Sequence, residues 1–246
     1  MTTVGFLSPR PIPRFLARFV AASLPVLLCG GAGCITSSPS EFGATATAKT
    51  EVLNRCPEGL IDDLEDGDSQ IVKKEGREGY WFTFADKEGS TIFPHGDFKP
   101  DPGGPDGSTR AAHMHGKMAA SGKSIYVGMG LSFLNPKGSY DASKYKGISF
   151  WAKGPGKVRF EVPDVNTQPE GDKCSDCYNN LGVDLYLTDQ WTRYTVPFER
   201  IAQQPGWGDP APESATKELF GVQWQFKSPG VDYDIWIDDI EFVGCP

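Results

Sequence analysis

Residues 146–162 run Lys-Gly-Ile-Ser-Phe-Trp-Ala-Lys-Gly-Pro-Gly-Lys-Val-Arg-Phe-Glu-Val. Ile148 and Phe150 fall on one side of the first half, and Val158, Phe160 and Val162 on one side of the second. A side-chain period of two marks strands that bury one face. The pattern recurs outward in both directions, between clusters of Gly, Pro, Asp and Asn. Residues 124–133 align Ile125, Val127, Met129, Leu131 and Phe133, and residues 182–187 align Val183, Leu185 and Leu187. Residues 191–198 set Trp191, Arg193 and Thr195 against Thr192, Tyr194 and Val196. Further strands are expected at 221–226, 234–243, 59–65 and 80–85. No amphipathic helix is evident. Pro/Gly/Asp-rich residues 92–109 read as a long loop, and residues 199–218 as another with a short helical turn. With 12% aromatic residues and 29 glycines, the expected class is all-β, an antiparallel β-sandwich.

The first fifty residues differ from this body. Arg10, Arg14 and Arg18 precede an apolar run, Phe19–Leu28, with the length of a signal-peptide core rather than a membrane span. The run ends at Gly31-Ala32-Gly33-Cys34, small residues before a Cys, similar to a bacterial lipobox. Residues 1–34 are therefore read as a lipoprotein signal peptide with Cys34 as the lipidation site, and residues 35–55 as a small, polar, flexible tether. Residues 56–246 remain as the domain; at roughly 190 residues it can bury about 70% of its unfolded surface. The expected location is an outer-membrane or cell-surface lipoprotein, with plain secretion as the second choice. A net charge of −8 argues against nucleic acid as a partner. Four cysteines remain in the domain, and an even count in an oxidising compartment implies two disulfides with three possible connectivities. Cys56 opens the domain and Cys245 closes it, so Cys56–Cys245 and Cys174–Cys177 are expected. A redox reading of Cys174-Ser-Asp-Cys177 needs a strand–helix context, whereas the flanks read as loop.

Three segments carry a family likeness. Leu60-Ile61-Asp62-Asp63-Leu64-Glu65-Asp66-Gly67 opens the domain; residues 140–154, Tyr-Asp-Ala-Ser-Lys-Tyr-Lys-Gly-Ile-Ser-Phe-Trp-Ala-Lys-Gly, sit in its middle; Ile235-Trp236-Ile237-Asp238-Asp239-Ile240-Glu241-Phe242 closes it. Together they resemble galactose-binding-like jelly rolls, closest in type to family-11 carbohydrate-binding modules. The resemblance implies binding of soluble β-glucan chains along a concave sheet face, and structural calcium. The cysteine pairs depart from that family.

The strand faces opposite the core supply candidate carbohydrate-binding residues: Tyr126 beside Gly128 and Gly130, glycines that leave room for a sugar, the Arg-x-acid fork of Arg159 and Glu161, Asp184 and Tyr186, Gln223 and Gln225, with Trp207 in a Gly-Trp-Gly loop. Arg and carboxylates pair with sugar hydroxyls, and aromatic rings cover pyranose C–H faces. The competing reading is an ordinary solvated sheet face. Trp224 alternates with Val222 and Phe226 and belongs to the core; of Tyr80 and Trp81, one should face outward. Acidic residues at the two chain ends of the domain would meet if the Cys56–Cys245 clasp forms. Asp63, Glu65, Asp68, Asp238 and Asp239 are the expected Ca²⁺ ligands, since a hard cation relieves carboxylate repulsion. His113-Met114-His115 with His95 lacks the spacing that fixes a zinc site. Residues 116–124 miss the P-loop count and precede a strand. No nucleophile or metalloprotease motif occurs, so no enzyme is expected. The expected protein is a monomeric, non-catalytic lipoprotein that binds a polysaccharide or oligosaccharide and meets the membrane only through its lipid. A structural or interaction module of the same fold without a sugar site is the alternative. A glycan-active enzyme is the third, requiring two opposed carboxylates in a pocket.

Overall fold

A computed structural model describes residues 53–95, 98–211 and 213–246. The signal peptide, Cys34 and nearly all of the expected tether lie outside the described residues. The described residues all fall in one unit, Thr50–Pro246.

Twelve strands form the domain: β1 Arg55–Asp62, β2 Trp81–Ala85, β3 Thr91–Phe93, β4 Asp101–Pro102, β5 Arg110–Lys117, β6 Val127–Ser132, β7 Gly147–Lys153, β8 Gly156–Val162, β9 Leu181–Leu187, β10 Thr192–Pro197, β11 Gly221–Phe226 and β12 Asp232–Val243. The expected long loop at 92–109 thus contains two short strands. The helical turn expected in 199–218 is a 3-10 turn at Phe198–Arg200.

All pairings are antiparallel. One sheet runs β10-β7-β12-β5-β3, with β1 also on β12 and β4 on β5; the other runs β2-β6-β11-β8-β9. This is the expected sandwich. Its core lies between the sheets and is built from the predicted alternation. Val127, Met129 and Leu131 of β6, Val158, Phe160 and Val162 of β8, and Val222, Trp224 and Phe226 of β11 are all buried. Facing them are Ile148, Phe150 and Ala152 of β7 and Ile235, Ile237, Ile240 and Phe242 of β12. Trp224 sits at the centre, edge-on to Phe150 at 5.1 Å and stacked on Trp81 at 5.9 Å. Such aromatic pairs add to the area term of about 25 cal/mol per Å² of buried apolar surface.

β12 is longer than strict alternation allows. Between Asp238 and Glu241 its register on β7 shifts by one residue, and Asp239 takes a left-handed φ of 47°. This bulge turns both Ile237 and Ile240 into the core, with Asp238 buried and Asp239 half-buried between them. Cys56 of β1 is joined to Cys245 just beyond β12, and Cys174 to Cys177 in the loop before β9.

On the outer face of the seven-stranded sheet, His113 and His115 share one side as their spacing predicts. His113 stacks on Trp236 at 3.8 Å and is held by Asp101 at 2.7 Å and Asp234 at 3.1 Å. These contacts make it a cross-strand packing residue. Among the described residues no three His, Cys, Asp or Glu side chains are arranged to hold a metal ion.

Candidate functional site

The face of the five-stranded sheet turned away from the core is organised by register. Phe82 pairs with Gly130, Gly130 with Gln223, Gln223 with Glu161 and Glu161 with Gly182. The neighbouring row is Phe84–Gly128–Gln225–Arg159–Asp184. Five of the candidate residues therefore do share one face, in two adjacent rows. The glycines have a different purpose from the one expected. A Cβ on Gly128 would overlap the Phe84 ring, and one on Gly130 would lie 2.8 Å from Gln223 Cγ and 3.1 Å from Phe82 Cζ. The room they leave is filled by the two phenylalanine rings.

Above these rows lies a cleft of about 800 Å³ lined by Phe82, Phe84, Tyr126, Gln223, Gln225, Trp207 and Lys227, with Lys137, Gln168, Tyr178 and Asn180 from the surrounding loops. Tyr126, Gln223, Gln225 and Trp207 are the sequence candidates that it brings together. Phe84 is 6.1 Å from Phe82 and 6.2 Å from Tyr126, and Tyr80 lies 6.2 Å beyond Phe82. The four rings make a row along the edge of the sheet. Tyr178 and Trp207 border the cleft from its loops, 62% and 42% exposed. Gln225 Oε1 is buried at the floor without a hydrogen-bond partner. A buried, unpaired amide oxygen costs roughly 1–3 kcal/mol, which a donor hydroxyl would recover.

The remaining candidates are placed elsewhere. Arg159 and Asp184 line a second cavity of about 550 Å³ with Gly182, Ala202, Gln203 and Pro205; Gln204 and Trp207 line both cavities. Arg159 is only 8% exposed. Its guanidinium donates to the Ala202 carbonyl at 2.5 Å and to Asp184 Oδ1 at 3.4 Å. Glu161 is buried, receives a hydrogen bond from Asn180 at 2.9 Å, and lies 3.4 Å from Arg159 and 3.7 Å from Lys227. Burial pushes the Glu161 carboxyl up and the Lys227 ammonium down, each partly offset by the other's charge. Burial also works against ionisation of Asp184, but Lys157 at 2.8 Å and Arg159 hold its carboxyl below the usual range. The expected Arg-x-acid fork is thus engaged within the protein and covered by the 202–208 loop. Tyr186 is 73% exposed on the last strand and lines neither cavity.

The acidic ends do meet. Ser108 Oγ lies 2.6 Å from Asp238 Oδ2 and 2.8 Å from Glu65 Oε1. Burial drives Asp238 up to about 7, aided by the charges of Asp239 and Glu65. Asp239 is raised by burial and by Asp63 and Glu65, against Arg193 and Arg55. Glu65 is pulled down to about 2, chiefly by hydrogen bonds from Thr109 and Ser108. Carboxylates are therefore gathered about Ser108, and burial makes Asp238 and Asp239 ionise reluctantly, but among the described residues they are not arranged as a metal site. Asp68 is not part of the gathering; it accepts from Gln70 N at 2.6 Å in its own turn.

Sequence reasoning missed Phe82, Phe84, Tyr178 and Asn180. Alternation does place Tyr80, Phe82 and Phe84 together once Trp81 is assigned to the core. Tyr178 and Asn180 carry no such signal, because a loop positions them.

No protein-family model and no curated protein matches this sequence. Solved structures do resemble it. The family 11 carbohydrate-binding module of the cellulosomal cellulase Lic26A-Cel5E of Clostridium thermocellum superposes with a TM-score of 0.53 at 13% identity, over 76% of this chain and 94% of that one. A family 11 module from Clostridium thermocellum, in complex with a β-1,3-1,4-mixed-linked tetrasaccharide, gives 0.50 at 14%, over 73% and 96%. A family 30 carbohydrate-binding module gives 0.51 at 14%, over 74% and 98%. At such identities the likeness is one of architecture: the chain has the jelly-roll fold of the family 11 and family 30 carbohydrate-binding modules.

Proposed function

We propose that this protein is a non-catalytic carbohydrate-binding module whose ligand lies in the 800 Å³ cleft over the five-stranded sheet. The observation that carries the reading is the union of an aromatic row (Phe82, Phe84, Tyr126) with the side-chain amides of Gln223 and Gln225 in one cleft. Rings supply flat apolar contact for pyranose C–H faces, and amides both donate to and accept from hydroxyls. The preferred ligand class is a neutral β-glucan-like chain. The polar contacts come from Gln223 and Gln225, not from Arg159 and Glu161, which are buried and paired within the protein. The two disulfides fit export, and the proposed setting is a lipoprotein anchored through Cys34.

Calcium is proposed at Asp63, Glu65, Asp238 and Asp239, whose carboxylates would have to draw together around it to hold the β1 end against the β12 bulge. It would be structural, away from the cleft residues.

Affinity electrophoresis and calorimetry of the full chain against β-glucans and other polysaccharides test the reading. Binding is expected to at least one neutral glucan. Phe84→Ala and Gln225→Ala should each weaken it about tenfold, which is about 1.4 kcal/mol, while Arg159→Lys leaves the cleft contacts in place. Silence across the panel would leave the interaction-module reading instead.

A further inference from the structure

The cleft adjoins a further cavity on each of two sides. Toward Tyr80 the aromatic row runs on past Phe82, which also lines a depression of about 500 Å³ beside Ser69 and Asn135. Toward β8 and β9, Gln204 and Trp207 border both larger cavities. Lys227 braces this border from the sheet, donating to Gln204 Oε1 at 2.9 Å with its ammonium 5.4 Å over the Trp207 ring.

The border is held by an unusual number of directed bonds. Asn179 Nδ2 donates to the carbonyls of Gln204 at 2.8 Å and Trp207 at 2.6 Å, and its Oδ1 accepts from Gln204 N at 3.0 Å. Gly206 and Gly208 take φ of 90° and 78°, the left-handed turn that lets the loop double back. The far end is tied to the small disulfide ring. Asp209 Oδ2 accepts from Ser175 N at 2.5 Å and Asp176 N at 3.2 Å, and Gly208 N donates to Asp176 Oδ2 at 2.9 Å. Cys174–Cys177 fixes the two residues that make these contacts.

Resting on the carbohydrate-binding reading above, we propose that Trp207 is an end wall. The cleft takes the terminus of a glycan chain, entering along the aromatic row, rather than the middle of a chain passing across the sheet. The Cys174–Cys177 ring is the clamp that keeps the wall in place.

Calorimetry separates the two modes. The full chain is titrated with one glucan that it binds, as polymer and as size-fractionated oligosaccharides. The expected result is one protein bound per chain at every length, with similar affinity per chain end. Trp207→Ala should convert this to a stoichiometry that rises with chain length, and the Cys174→Ser/Cys177→Ser pair should move the same way, less far. Gln204→Gly is a second opening variant should Trp207→Ala fail to fold, with far-UV circular dichroism monitoring both. A wild-type stoichiometry that already rises with length would overturn the end wall while leaving carbohydrate binding intact. Unchanged stoichiometry in a folded wall variant would overturn it too. No binding to any glucan would sink both readings.

Discussion

Ser108 has one hydroxyl proton and two carboxylates within reach, Asp238 at 2.6 Å and Glu65 at 2.8 Å. It cannot donate to both. With Asp238 neutral, its proton can point at Ser108 Oγ while Ser108 donates to Glu65, and every group is satisfied. Burial raises Asp238 to about 7 against the Ser108 hydrogen bond, and hydrogen bonds from Thr109 and Ser108 pull Glu65 down to about 2, so a neutral Asp238 beside an ionised Glu65 fits this arrangement. The sign of the linkage follows. Between about pH 4 and 7 the folded state holds more protons on Asp238 than the unfolded state, so its contribution is full below pH 4 and lost as pH rises through 7. Asp62, buried and pushed up to about 7 by desolvation against the Trp81 hydrogen bond, acts in the same sense. Glu65 acts oppositely: its contribution is present above about pH 4.5 and lost as pH falls through 2. In chelator, thermal stability should therefore peak near pH 4–5 and fall toward pH 8. Asp238→Asn, whose amide can donate to Ser108, should flatten that fall by on the order of 2 kcal/mol. Melting curves across pH measure it, and a steeper fall in the variant would refute the shared-proton account. Added Ca²⁺ at pH 7.5 should raise the melting temperature of the wild type and not of Asp238→Asn; equal response in both would remove calcium from this place.

At the scale of single strands, β2 and β6 act as one element. Gly128 and Gly130 of β6 are flat so that Phe84 and Phe82 can lie across them. Gly128→Ala should push the Phe84 ring off its seat, costing roughly 1–3 kcal/mol of stability as overpacking does and weakening glycan binding alongside Phe84→Ala. Chemical denaturation and the binding titration read the two effects; an unperturbed variant would show that the ring is free to move. The core face of each strand was legible from the sequence, because period two fixes which side Val158, Phe160 and Val162 occupy whatever the partner strand. The opposite face was legible only as a set of neighbours. Alternation put Arg159 and Glu161 outward from the core, correctly, but could not say that the 202–208 loop returns over them. Nor could it give register, so Gly128 looked like space for a ligand when the strand beside it supplies a phenylalanine. The bulge at Asp238–Glu241 escaped for a related reason: an Ile-Asp-Asp-Ile run breaks alternation, and only β7 shows where the extra residue sits.

At the scale of the whole molecule, the two disulfides differ in what they constrain. Cys56–Cys245 spans 189 residues and ties the first strand to the last, whereas Cys174–Cys177 spans 3. On the chain-entropy account the long closure removes about 5 kcal/mol worth of unfolded-state freedom and the short one about 2. β1 adds to the long closure by pairing with β12 at Leu60–Glu241 and Asp62–Ile240. Glu65, three residues beyond this strand, reaches the acidic gathering, while Asp62 at the strand's end holds Trp81 Nε1 at 2.6 Å. Releasing β1 should thus do more than lower stability. A Cys56→Ala/Cys245→Ala variant is expected to lose about 3–5 kcal/mol and also to lose part of the decline in stability between pH 4 and 8, since fraying β1 lets water reach Asp62 and Asp238. The Cys174→Ser/Cys177→Ser variant should lose no more than about 2 kcal/mol, keep the full pH dependence, and change only how the binding stoichiometry depends on glycan length. Urea unfolding at several pH values, with m-values compared, distinguishes them. Equal losses with identical pH profiles would mean that the clasp and the acidic gathering are energetically independent, and that β12 holds its bulge without help from β1.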